Sequence, residues 1–426
     1  MVRVLYTALL YLLIPLVMLR LLWRSCKAPE YRKRWGERFG FVPRVDVGRH
    51  VIWVHSVSVG ETLAAVPMIK QLQSRYPKSL LVVTTMTPTG SARVRSVFED
   101  SVYHVYAPYD LPDALGRFLR RVHPDLLIIM ETELWPNLVH HCRCLDIPVI
   151  VANARLSEKS AKGYQKFSRL THPMLQDISC VAAQHEDDGE RFLALGLCKS
   201  QLSVTGNIKF DVNLADALKH KAEVLKIQWC GVEKRPIFLA ASTHRGEDQV
   251  ILDSYEQIRE HYPELLLVLV PRHPERFGEV AQLCLDRNLK IVRRSDGLTP
   301  SRNDQVLLGD TMGELLLFFG ACDIAFVGGS LIPVGGHNLI EPAIWSVPVL
   351  SGPHLFNFSE ASRLLREAQG MAICENAEVM AELVVSLLQD PQAAMRMGDA
   401  AKSVAETNRG ALERLLGIIE RQLSLP

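Results

Sequence analysis

The 426-residue sequence has no excess of charge of either sign, because 48 basic side chains stand against 47 acidic ones and leave a net charge of +1. Nucleic-acid-binding proteins usually carry a basic surplus, so the composition gives no reason to expect nucleic acid as a partner. The nine cysteines are odd in number and scattered. That pattern does not suit a disulfide framework and favours a reducing compartment. Low-complexity tracts and short repeats are also lacking.

Two kinds of cofactor signal are missing as well. The cluster His140-His141-Cys142-Arg143-Cys144 contains metal-ligand residue types, but no second pair stands at ligand spacing. We interpret it as the end of a helix that precedes a strand. The chain has no Walker lysine motif and no dinucleotide-binding glycine fingerprint. The sequence therefore does not predict a metal site in this cluster, and its glycine-rich turns do not match either nucleotide-binding fingerprint.

One long apolar run is present, over residues 4–22. About 19 helical residues span roughly 30 Å, the thickness of a bilayer core. No small-residue cleavage site follows, so we interpret the run as an anchor, either spanning the bilayer or lying in its interface. The basic residues that follow it are Arg24, Lys27, Arg32, Lys33, Arg34 and Arg38. By the positive-inside rule they keep the body of the protein in the cytoplasm. This basic segment either lies on anionic headgroups or is a solvated linker.

Beyond the anchor, strand and helix patterns alternate, which predicts two doubly wound, Rossmann-like α/β domains facing a cleft. The predicted strands are 51–54, 80–84, 126–130, 149–152, 180–183 and 202–205, and then 237–241, 265–270, 290–293, 306–308, 324–327, 347–350 and 371–374. The predicted parts of the chain are an anchor helix (1–24), a basic amphipathic juxtamembrane segment (25–49), a first, acceptor-binding domain (50–212), a linker (213–235) and a second, nucleotide-sugar-binding domain (236–426). A chain of 426 residues is too long for one core, which agrees with this division.

In the first domain, carboxylates follow two predicted strands at the sheet edge where α/β proteins bind ligands. Glu61 lies in the turn at 55–62, where a helix begins. It is either a general base or a complement to the positive helix end. Glu131 and Glu133 follow the strand at 126–130 and serve either a site or capping and packing. The hydroxyls of the turn at 84–91 either cap a helix or hold an anion.

In the second domain, Arg272 follows a strand and suits a phosphate, although a surface ion pair is the simpler interpretation. Two glycine-rich turns, at 328–330 and 335–338, let backbone amides approach a phosphate, and Glu341 stands one turn on, where it can accept bonds from ribose hydroxyls. The turn at 309–315 is nearby in sequence. Together these features predict nucleotide binding, and hence group transfer with Glu61 deprotonating an acceptor hydroxyl.

Five of these motifs, at 55–62, 84–90, 131–137, 271–277 and 335–338, closely resemble those of the bacterial 3-deoxy-D-manno-octulosonic acid (Kdo) transferases. The resemblance runs essentially end to end and includes the N-terminal apolar segment. It implies a glycosyltransferase-B fold. It also implies transfer of Kdo from CMP-Kdo, with inversion, to the lipid A precursor lipid IVA at the cytoplasmic face of the inner membrane, as a step of lipopolysaccharide biosynthesis.

The resemblance also implies roles for individual residues. Glu61 matches the general base, and Glu131 and Lys209 match positions that stabilise the transition state. The choice of Glu131 over Glu133 rests on that match, because spacing alone does not decide it. The positions that match CMP-binding ones are Pro271, Arg272, Met312, Gly313, Glu314, Asn338, Leu339, Ile340 and Glu341. Leu339 stands where relatives carry proline, which matters little if the backbone contacts the ligand.

The expected partners are CMP-Kdo, the lipid A precursor and inner-membrane lipids, with no cofactor and no metal. Two other interpretations remain open from the sequence. One is a related glycosyltransferase with another nucleotide sugar or acceptor, and the other is a membrane-tethered binding protein without catalysis. The number of Kdo residues transferred is also open at this point.

Overall fold

The computed structural model describes residues 2–26, 28–46, 48–231 and 234–423. Lys27, one of the residues of the predicted basic flank, lies outside the described residues. The chain divides into two compact units: the first comprises Met1–Asp211 with Arg409–Pro426, and the second comprises Val212–Asn408. Each unit contains a seven-stranded sheet in which the strands pair in parallel. The predicted class of two doubly wound α/β domains is thereby confirmed.

The strands of the first unit are β1 Val51–His55, β2 Leu80–Thr85, β3 Tyr103–Tyr106, β4 Leu126–Met130, β5 Val149–Ala154, β6 Cys180–Ala183 and β7 Leu202–Val204. Their order in the sheet is β3-β2-β1-β4-β5-β6-β7. The direction of winding therefore reverses between β1 and β4, and polar side chains that follow these two strands share one edge of the sheet. β3 was not predicted, because only two of its four residues are buried and it lies at the sheet edge.

The helices of the first unit are α1 Val2–Ser25, α2 Trp35–Arg38, α3 Val59–Arg75, α4 Pro88–Phe98, α5 Pro112–Val122, α6 Pro136–Cys144, α7 Glu158–Lys166, α8 Ser168–Gln176 and α9 Glu186–Ala194, with 3-10 turns at Pro29–Arg32, Lys199–Gln201 and Ile208–Phe210. Successive strand residues point to opposite faces of the sheet. In β1, Trp53 belongs to the apolar cluster on one face and Val54 to the cluster on the other. Both faces of the sheet are therefore covered, as in a doubly wound domain.

The strands of the second unit are β8 Ile237–Thr243, β9 Leu266–Pro271, β10 Ile291–Arg293, β11 Val306–Leu308, β12 Ile324–Val327, β13 Val349–Ser351 and β14 Met371–Ile373, in the order β10-β11-β9-β8-β12-β13-β14. Its helices are α10 Asp216–Cys230, α11 Glu247–His261, α12 Phe277–Asp286, α13 Leu315–Ala321, α14 Ile340–Ala343, α15 Ser359–Glu367, α16 Ala377–Gln389 and α17 Pro391–Thr407, with 3-10 turns at Pro274–Arg276 and Arg294–Asp296. The last helix of the chain is α18 Ala411–Leu423.

The structure places α18 in the first unit, whereas the predicted second domain extends to residue 426. The Asp211 carboxylate accepts hydrogen bonds from the backbone N–H groups of Gly410 (2.5 Å) and Leu412 (2.6 Å), which holds the start of the helix. The guanidinium of Arg75 on α3 pairs with two glutamates of α18, at 2.6 and 2.7 Å. The apolar face of α18 joins the core of the first unit. The amphipathic pattern of α18 predicts that the helix packs against a sheet, but it does not identify which sheet.

Within the predicted linker at 213–235, the sequence predicts a polar helical connector over about 214–229. The structure has this helix as α10, but as a packed part of the second unit rather than as a linker. Trp229 is buried against Phe318 of α13, with ring centroids 5.3 Å apart. Ala222, Leu225 and Trp229 are the buried residues of α10, and their spacing gives one apolar face.

The juxtamembrane segment packs on the first unit rather than lying free as a solvated linker. Val42 is buried in the core of that unit. The Glu37 carboxylate accepts from the backbone N–H of Tyr106 at 2.7 Å, which satisfies a donor on the edge strand β3. The guanidinium groups of Arg34 and Arg38 lie 4.7 and 4.2 Å from the centre of the Tyr106 ring. The segment therefore covers the exposed edge of the sheet.

By length and composition, α1 is the one helix among the described residues that could cross a membrane, a criterion that a signal sequence also meets. Its side chains also make hydrogen bonds with the first unit. Tyr6 donates to the Asp110 carboxylate (3.0 Å), Thr7 bonds with Asn137 (3.1 Å), and Tyr11 donates to Asp113 (2.5 Å). Three polar residues of α1 thus contact the rest of the first unit, while most of its leucines are exposed.

Candidate functional site

Glu61 is the third residue of α3, directly after β1. Ser58 is the N-cap: its side chain accepts from the backbone N–H of Glu61 at 3.2 Å. In return, the Glu61 carboxylate accepts from the Ser58 hydroxyl at 2.6 Å and from the backbone N–H of Val57 at 2.7 Å. These reciprocal bonds close the turn and fix the carboxylate at the carboxyl edge of the sheet.

The environment of Glu61 raises its basicity. Its side chain is buried, and burial raises the pKa of its carboxyl group to about 7. That value already includes two smaller effects: the hydrogen bonds from Ser58 and Val57 lower the pKa, and the nearby carboxylates of Glu133 and Glu131 raise it. A carboxylate whose pKa is close to neutral is suited to accept a proton in a reaction. The Glu61 carboxylate also complements the positive end of α3. Its interpretation as a general base and its interpretation as a complement to the helix end are therefore compatible.

Glu131 follows β4 in a left-handed backbone conformation, with φ of 56°. Its backbone N–H bonds the carbonyl of Ala152 on β5 (2.9 Å), so the residue is fixed to the sheet. The Lys209 ammonium lies 3.4 Å from a Glu131 carboxylate oxygen, with both side chains about one quarter exposed. A left-handed non-glycine residue costs free energy and is over-represented at functional sites. The structure therefore brings together Glu131 and Lys209, 78 positions apart in the sequence.

Lys209 is held in place by two asparagines. It lies in the 3-10 turn Ile208–Phe210, after β7. The Asn207 side chain accepts from the backbone N–H of Lys209 at 3.1 Å, and Asn153, at the end of β5, accepts from that of Ile208 at 3.0 Å. Asn153 is buried and, like Glu131, left-handed, with φ of 53°. Asn153 was not singled out from the sequence, because its partner lies 55 residues away.

Glu133 also belongs to the acidic cluster, which we define as Glu61, Glu131 and Glu133. Burial raises the pKa of its carboxyl group, the bond from Trp135 lowers it, and the Glu131 charge raises it. The Trp135 indole N–H donates to Glu133 at 3.4 Å. The Trp135 ring lies 4.8 Å from that of His55, which is buried and whose pKa burial lowers to about 4. His55 is therefore neutral at pH 7 and adds no charge to the cluster.

In the turn after β2, the structure shows a helix cap, one of the two uses predicted for it. Thr87 is the N-cap of α4, and its hydroxyl accepts from the backbone N–H of Gly90 at 3.1 Å. Capping is thereby confirmed. The turn is joined to the loop that carries Glu61 by a bond from the Met86 N–H to the Val57 carbonyl, at 3.4 Å.

In the second unit, Arg272, Asn338 and Glu341 lie close together. Pro271 ends β9, and the backbone N–H of Arg272 bonds the Thr243 carbonyl at 3.0 Å. Asn338 donates to the Glu341 carboxylate at 3.1 Å and accepts from the backbone N–H of Ile340 at 3.0 Å. Burial raises the pKa of Glu341, and the Asn338 bond and the Arg272 charge lower it.

Two imidazoles lie beside this group. The Nε2 atoms of His337 and His244 are 2.9 Å apart, and the rings are stacked with 12° between their planes. Burial and, to a smaller extent, the Arg272 charge lower the pKa of His337 to about 3. Both rings are thus neutral at pH 7, and one donates its proton to the other.

The glycine-rich turns are arranged differently from the expectation. The backbone N–H groups of Gly329, Ser330 and Leu331 are already hydrogen-bonded. All three donate to the carboxylate of Glu247, at 2.7 to 2.9 Å, and not to a phosphate. The backbone N–H of His244 donates to the same carboxylate at 2.9 Å. Glu247 is fully buried at the start of α11. Its importance was not visible in the sequence, because its partners lie about 80 residues away.

Gly335 and Gly336 are glycines for steric reasons. Both have positive φ, 108° and 79°. A Cβ atom on Gly335 would lie 2.3 Å from the Asn357 side chain, and one on Gly336 would lie 2.6 Å from the Leu355 side chain. The turn before Asn338 is therefore shaped by close packing.

The predicted turn Met312-Gly313-Glu314 is fixed by other residues. Glu314 pairs with Arg294 at 2.8 Å and accepts from Thr311 at 2.5 Å. The bond from Arg294 holds the pKa of Glu314 below its usual range. Met312 is 60% exposed, and Gly313 has φ of 85°. Leu339 and Ile340 are both buried, so their side chains are not available to a ligand and only their backbone is.

No group of three or more metal-ligating side chains occurs within residues 2–26, 28–46, 48–231 and 234–423. The cluster at 140–144 ends α6, as predicted, and Cys142 is buried in the core.

Comparisons with known proteins agree with this architecture. A family model described as 3-deoxy-D-manno-octulosonic-acid transferase (kdotransferase) matches residues 33–212. The 3-deoxy-D-manno-octulosonic acid transferase of Haemophilus influenzae is 46% identical over 423 residues, 99% of each chain. The enzyme of the same name from Bordetella pertussis is 35% identical and covers 87% of this chain and 86% of its own.

Among solved structures, a glycosyltransferase from Rickettsia africae has a TM-score of 0.56 at 15% identity, over 89% of this chain and 100% of its own. At this identity the likeness concerns the fold alone. With the two doubly wound units, it confirms the predicted glycosyltransferase-B fold class.

Proposed function

This chain belongs to the Kdo transferase family, and on that premise we propose that it is an inverting glycosyltransferase that transfers Kdo from CMP-Kdo to the lipid A precursor lipid IVA. Kdo transferases are glycosyltransferases of lipopolysaccharide biosynthesis. The observation that carries the mechanism is Glu61, a buried carboxylate with a pKa of about 7 beside the Glu131–Lys209 pair.

In the proposed reaction, Glu61 acts as the general base. Its carboxylate takes the proton from an acceptor hydroxyl, and the oxygen attacks the anomeric carbon of Kdo from the face opposite CMP. The bond between that carbon and the phosphate oxygen breaks, and CMP leaves with the electron pair. A single displacement inverts the configuration at the anomeric carbon.

We assign Glu131 and Lys209 to the transition state. As the bond to CMP breaks, positive charge develops on the sugar ring, and a carboxylate near the ring stabilises it. The Lys209 ammonium, 3.4 Å from Glu131, holds that carboxylate in place. The fixed backbone of both residues supports this role, because a preorganised charge needs no rearrangement during the reaction.

We assign donor binding to the second unit. The Arg272 guanidinium suits the single phosphate of CMP, and the Glu341 carboxylate suits the ribose hydroxyls. The backbone at 338–341 and the turn at 312–314 complete the proposed CMP site. Because CMP leaves with one phosphate, Arg272 supplies countercharge without a metal, and we propose a metal-independent enzyme without a cofactor.

We place the protein at the inner membrane, with α1 as its anchor and the catalytic body on the cytoplasmic side. Support comes from the apolar length of α1 and the basic residues that follow it.

The test is turnover of CMP-Kdo and lipid IVA by purified full-length protein in detergent, with Glu61→Gln beside the wild type. We expect release of CMP, a gain of Kdo mass on the lipid, and a loss of about 100- to 10,000-fold in kcat in the variant, the range of a general base. Turnover should persist in EDTA, and CMP rather than UDP should compete with the donor.

Glu158→Gln is the matched control, because Glu158 also follows a serine N-cap in the first turn of a helix but is exposed. It should retain full activity. Absence of transfer by wild-type protein that binds CMP would refute the substrate assignment, and full activity in Glu61→Gln would refute the mechanism alone.

A further inference from the structure

A cavity of about 230 Å³ lies between α1 and the body of the first unit. On the helix side, Leu10, Ile14 and Val17 line it. On the body side, Met86, Leu111 and Trp135 do. Its lining is almost wholly apolar, and an apolar cavity of roughly 150 Å³ is already large enough to bind benzene. We propose that this cavity, defined as the α1 cavity, binds part of an acyl chain of the acceptor glycolipid. The proposal rests on the function proposed above.

Polar contacts near the N-terminal end of α1 join the helix wall of the cavity to the body of the unit. The hydrogen bonds from Tyr6 to Asp110 and from Thr7 to Asn137 fix the helix to the body, and Asp110 also accepts from the backbone N–H groups of Asn137 and Leu138. The docked helix therefore supplies one side of a binding site in addition to its apolar outer face. That outer face includes Leu9, Leu12 and Leu16, all more than half exposed.

The body wall connects the cavity to the proposed catalytic residues. Trp135 lines the cavity and donates its indole N–H to Glu133 of the acidic cluster. Met86 lines the cavity too, and its backbone N–H bonds Val57, whose own N–H donates to Glu61. One hydrogen-bonded loop thus separates the cavity from the general base. An acceptor carries its reacting hydroxyl and its acyl chains on one molecule, and this arrangement suits both parts.

Arg38 places a positive charge behind the body wall of the α1 cavity. The Arg38 guanidinium is buried and donates to the Met86 carbonyl at 3.0 Å, and it lies 6.0 Å from the ring centre of Tyr109, which also lines the cavity. The same guanidinium lies 4.2 Å from the ring centre of Tyr106. A buried guanidinium makes the electrostatic potential on this side of the cavity more positive, which fits an anionic amphiphile such as a phosphorylated glycolipid better than a neutral lipid.

The test uses two pairs of neighbouring residues on α1, Leu16 with Val17 and Leu9 with Leu10, in which one member lines the cavity and the other is exposed. Val17→Trp and Leu10→Trp fill the cavity, while Leu16→Trp and Leu9→Trp add the same ring on the exposed face. Transfer is measured with CMP-Kdo and either lipid IVA or its fully deacylated, water-soluble disaccharide. We expect the cavity-filling variants to raise KM for lipid IVA about tenfold, the effect of losing a few buried methylenes. Their KM for CMP-Kdo and their rate with the deacylated acceptor should equal those of the wild type.

The exposed-face variants should match the wild type with both acceptors. An unchanged KM for lipid IVA in both cavity-filling variants would overturn the proposal, and so would an equal loss in all four. These outcomes are distinct from failure of the proposed function, in which the wild type transfers no Kdo to either acceptor.

A second measurement distinguishes an acceptor chain from bulk membrane lipid. Brominated acyl chains quench tryptophan fluorescence on contact, and the Trp135 contribution is the difference between wild type and Trp135→Phe. Lipid IVA with brominated chains, in unbrominated phospholipid vesicles, should quench that contribution. Quenching by brominated phosphatidylethanolamine but not by brominated lipid IVA would assign the cavity to membrane lipid and overturn the proposal.

Discussion

Two buried glutamates stand at equivalent places in the two units and have different partners. Glu61 lies at the start of α3 after β1, and Glu247 lies at the start of α11 after β8, the first strand of its own sheet. The Glu61 carboxylate accepts one backbone N–H and one hydroxyl, both from its own turn. The Glu247 carboxylate accepts four backbone N–H groups, three of them from the loop that follows β12.

The difference shows how one residue type at one place in a fold serves two purposes. The oxygens of Glu247 are occupied by backbone amides, so the residue holds two loops together and positions Gly329 and His244. Glu61 is bonded only locally, and burial together with neighbouring carboxylates raises its pKa to about 7. A carboxylate with few donors and a raised pKa remains basic enough for catalysis. The number and origin of the donors, rather than position in the helix, separate the structural glutamate from the proposed catalytic one.

The largest effect on stability is expected for Glu247→Gln, which tests the structural role of Glu247. Glu247→Gln replaces one acceptor oxygen by an amide nitrogen, so about two of the four buried N–H groups lose their partner. We expect the free energy of unfolding to fall by about 2–5 kcal/mol. Urea unfolding of the full-length protein in detergent measures it, with Glu61→Gln as the comparison. A loss in Glu61→Gln as large as that in Glu247→Gln would contradict the distinction drawn here.

The pH dependence of stability in Glu61→Gln tests the raised pKa of Glu61. The folded-state pKa of Glu61 is raised to about 7 from an ordinary 4.5, so the folded protein retains a proton that the unfolded chain releases. The contribution of this carboxyl group to stability is thus fully present below pH 4.5 and is lost as pH rises to 7. Relative to the wild type, Glu61→Gln should gain stability between pH 4.5 and 7, on the order of 1–3 kcal/mol. A difference that does not vary with pH would contradict the raised pKa.

A smaller effect is expected at the proposed donor site. Arg272→Lys keeps the positive charge but loses the paired N–H groups that a phosphate accepts. We expect KM for CMP-Kdo to rise about tenfold, with little change in KM for the acceptor. Calorimetric titration with CMP provides an independent measure of the same loss. Arg363→Lys, an exposed arginine of α15 in the same unit, is the control and should bind CMP as the wild type does. Unchanged CMP affinity in Arg272→Lys would remove Arg272 from the donor site.

Much of the fold follows from local pattern. The strands at 126–130, 306–308 and 324–327 have the predicted bounds because each is a short, wholly buried apolar run between turns. Local pattern fails where burial is partial or the partner is distant. The edge strand β3 has two half-buried residues, and α18 packs on the sheet of the first unit although it is last in the chain. An apolar face predicts burial but does not identify the partner.

The candidate site shows the same limit. Glu61 was visible because its turn, helix start and strand are contiguous in sequence, and its capping serine is three residues away. Lys209 and Glu131 are 78 positions apart in the sequence, and Glu247 is about 80 positions from the loop that it binds. Only the folded chain brings these residues together. Gly329 illustrates the converse, because its amide was predicted for a phosphate and is occupied by Glu247. Sequence pattern indicates which groups are available, whereas the fold decides which of them are already bonded.

The smallest expected effect concerns the charge that surrounds Glu61. Burial, and then the negative charge of Glu133, raise the pKa of Glu61, and the base must be ionised to act. The value of kcat/KM should therefore rise with pH through about 7 and level off above it. Glu133→Gln removes one negative neighbour and keeps an oxygen to accept the Trp135 N–H. The pKa of Glu61 then falls, the profile moves by a fraction of a pH unit to lower pH, and the variant is up to a few-fold faster than the wild type near pH 6. Rates on the plateau should be equal. A shift to higher pH, or the same shift in Glu158→Gln, would show that the charge of Glu133 does not act on the base.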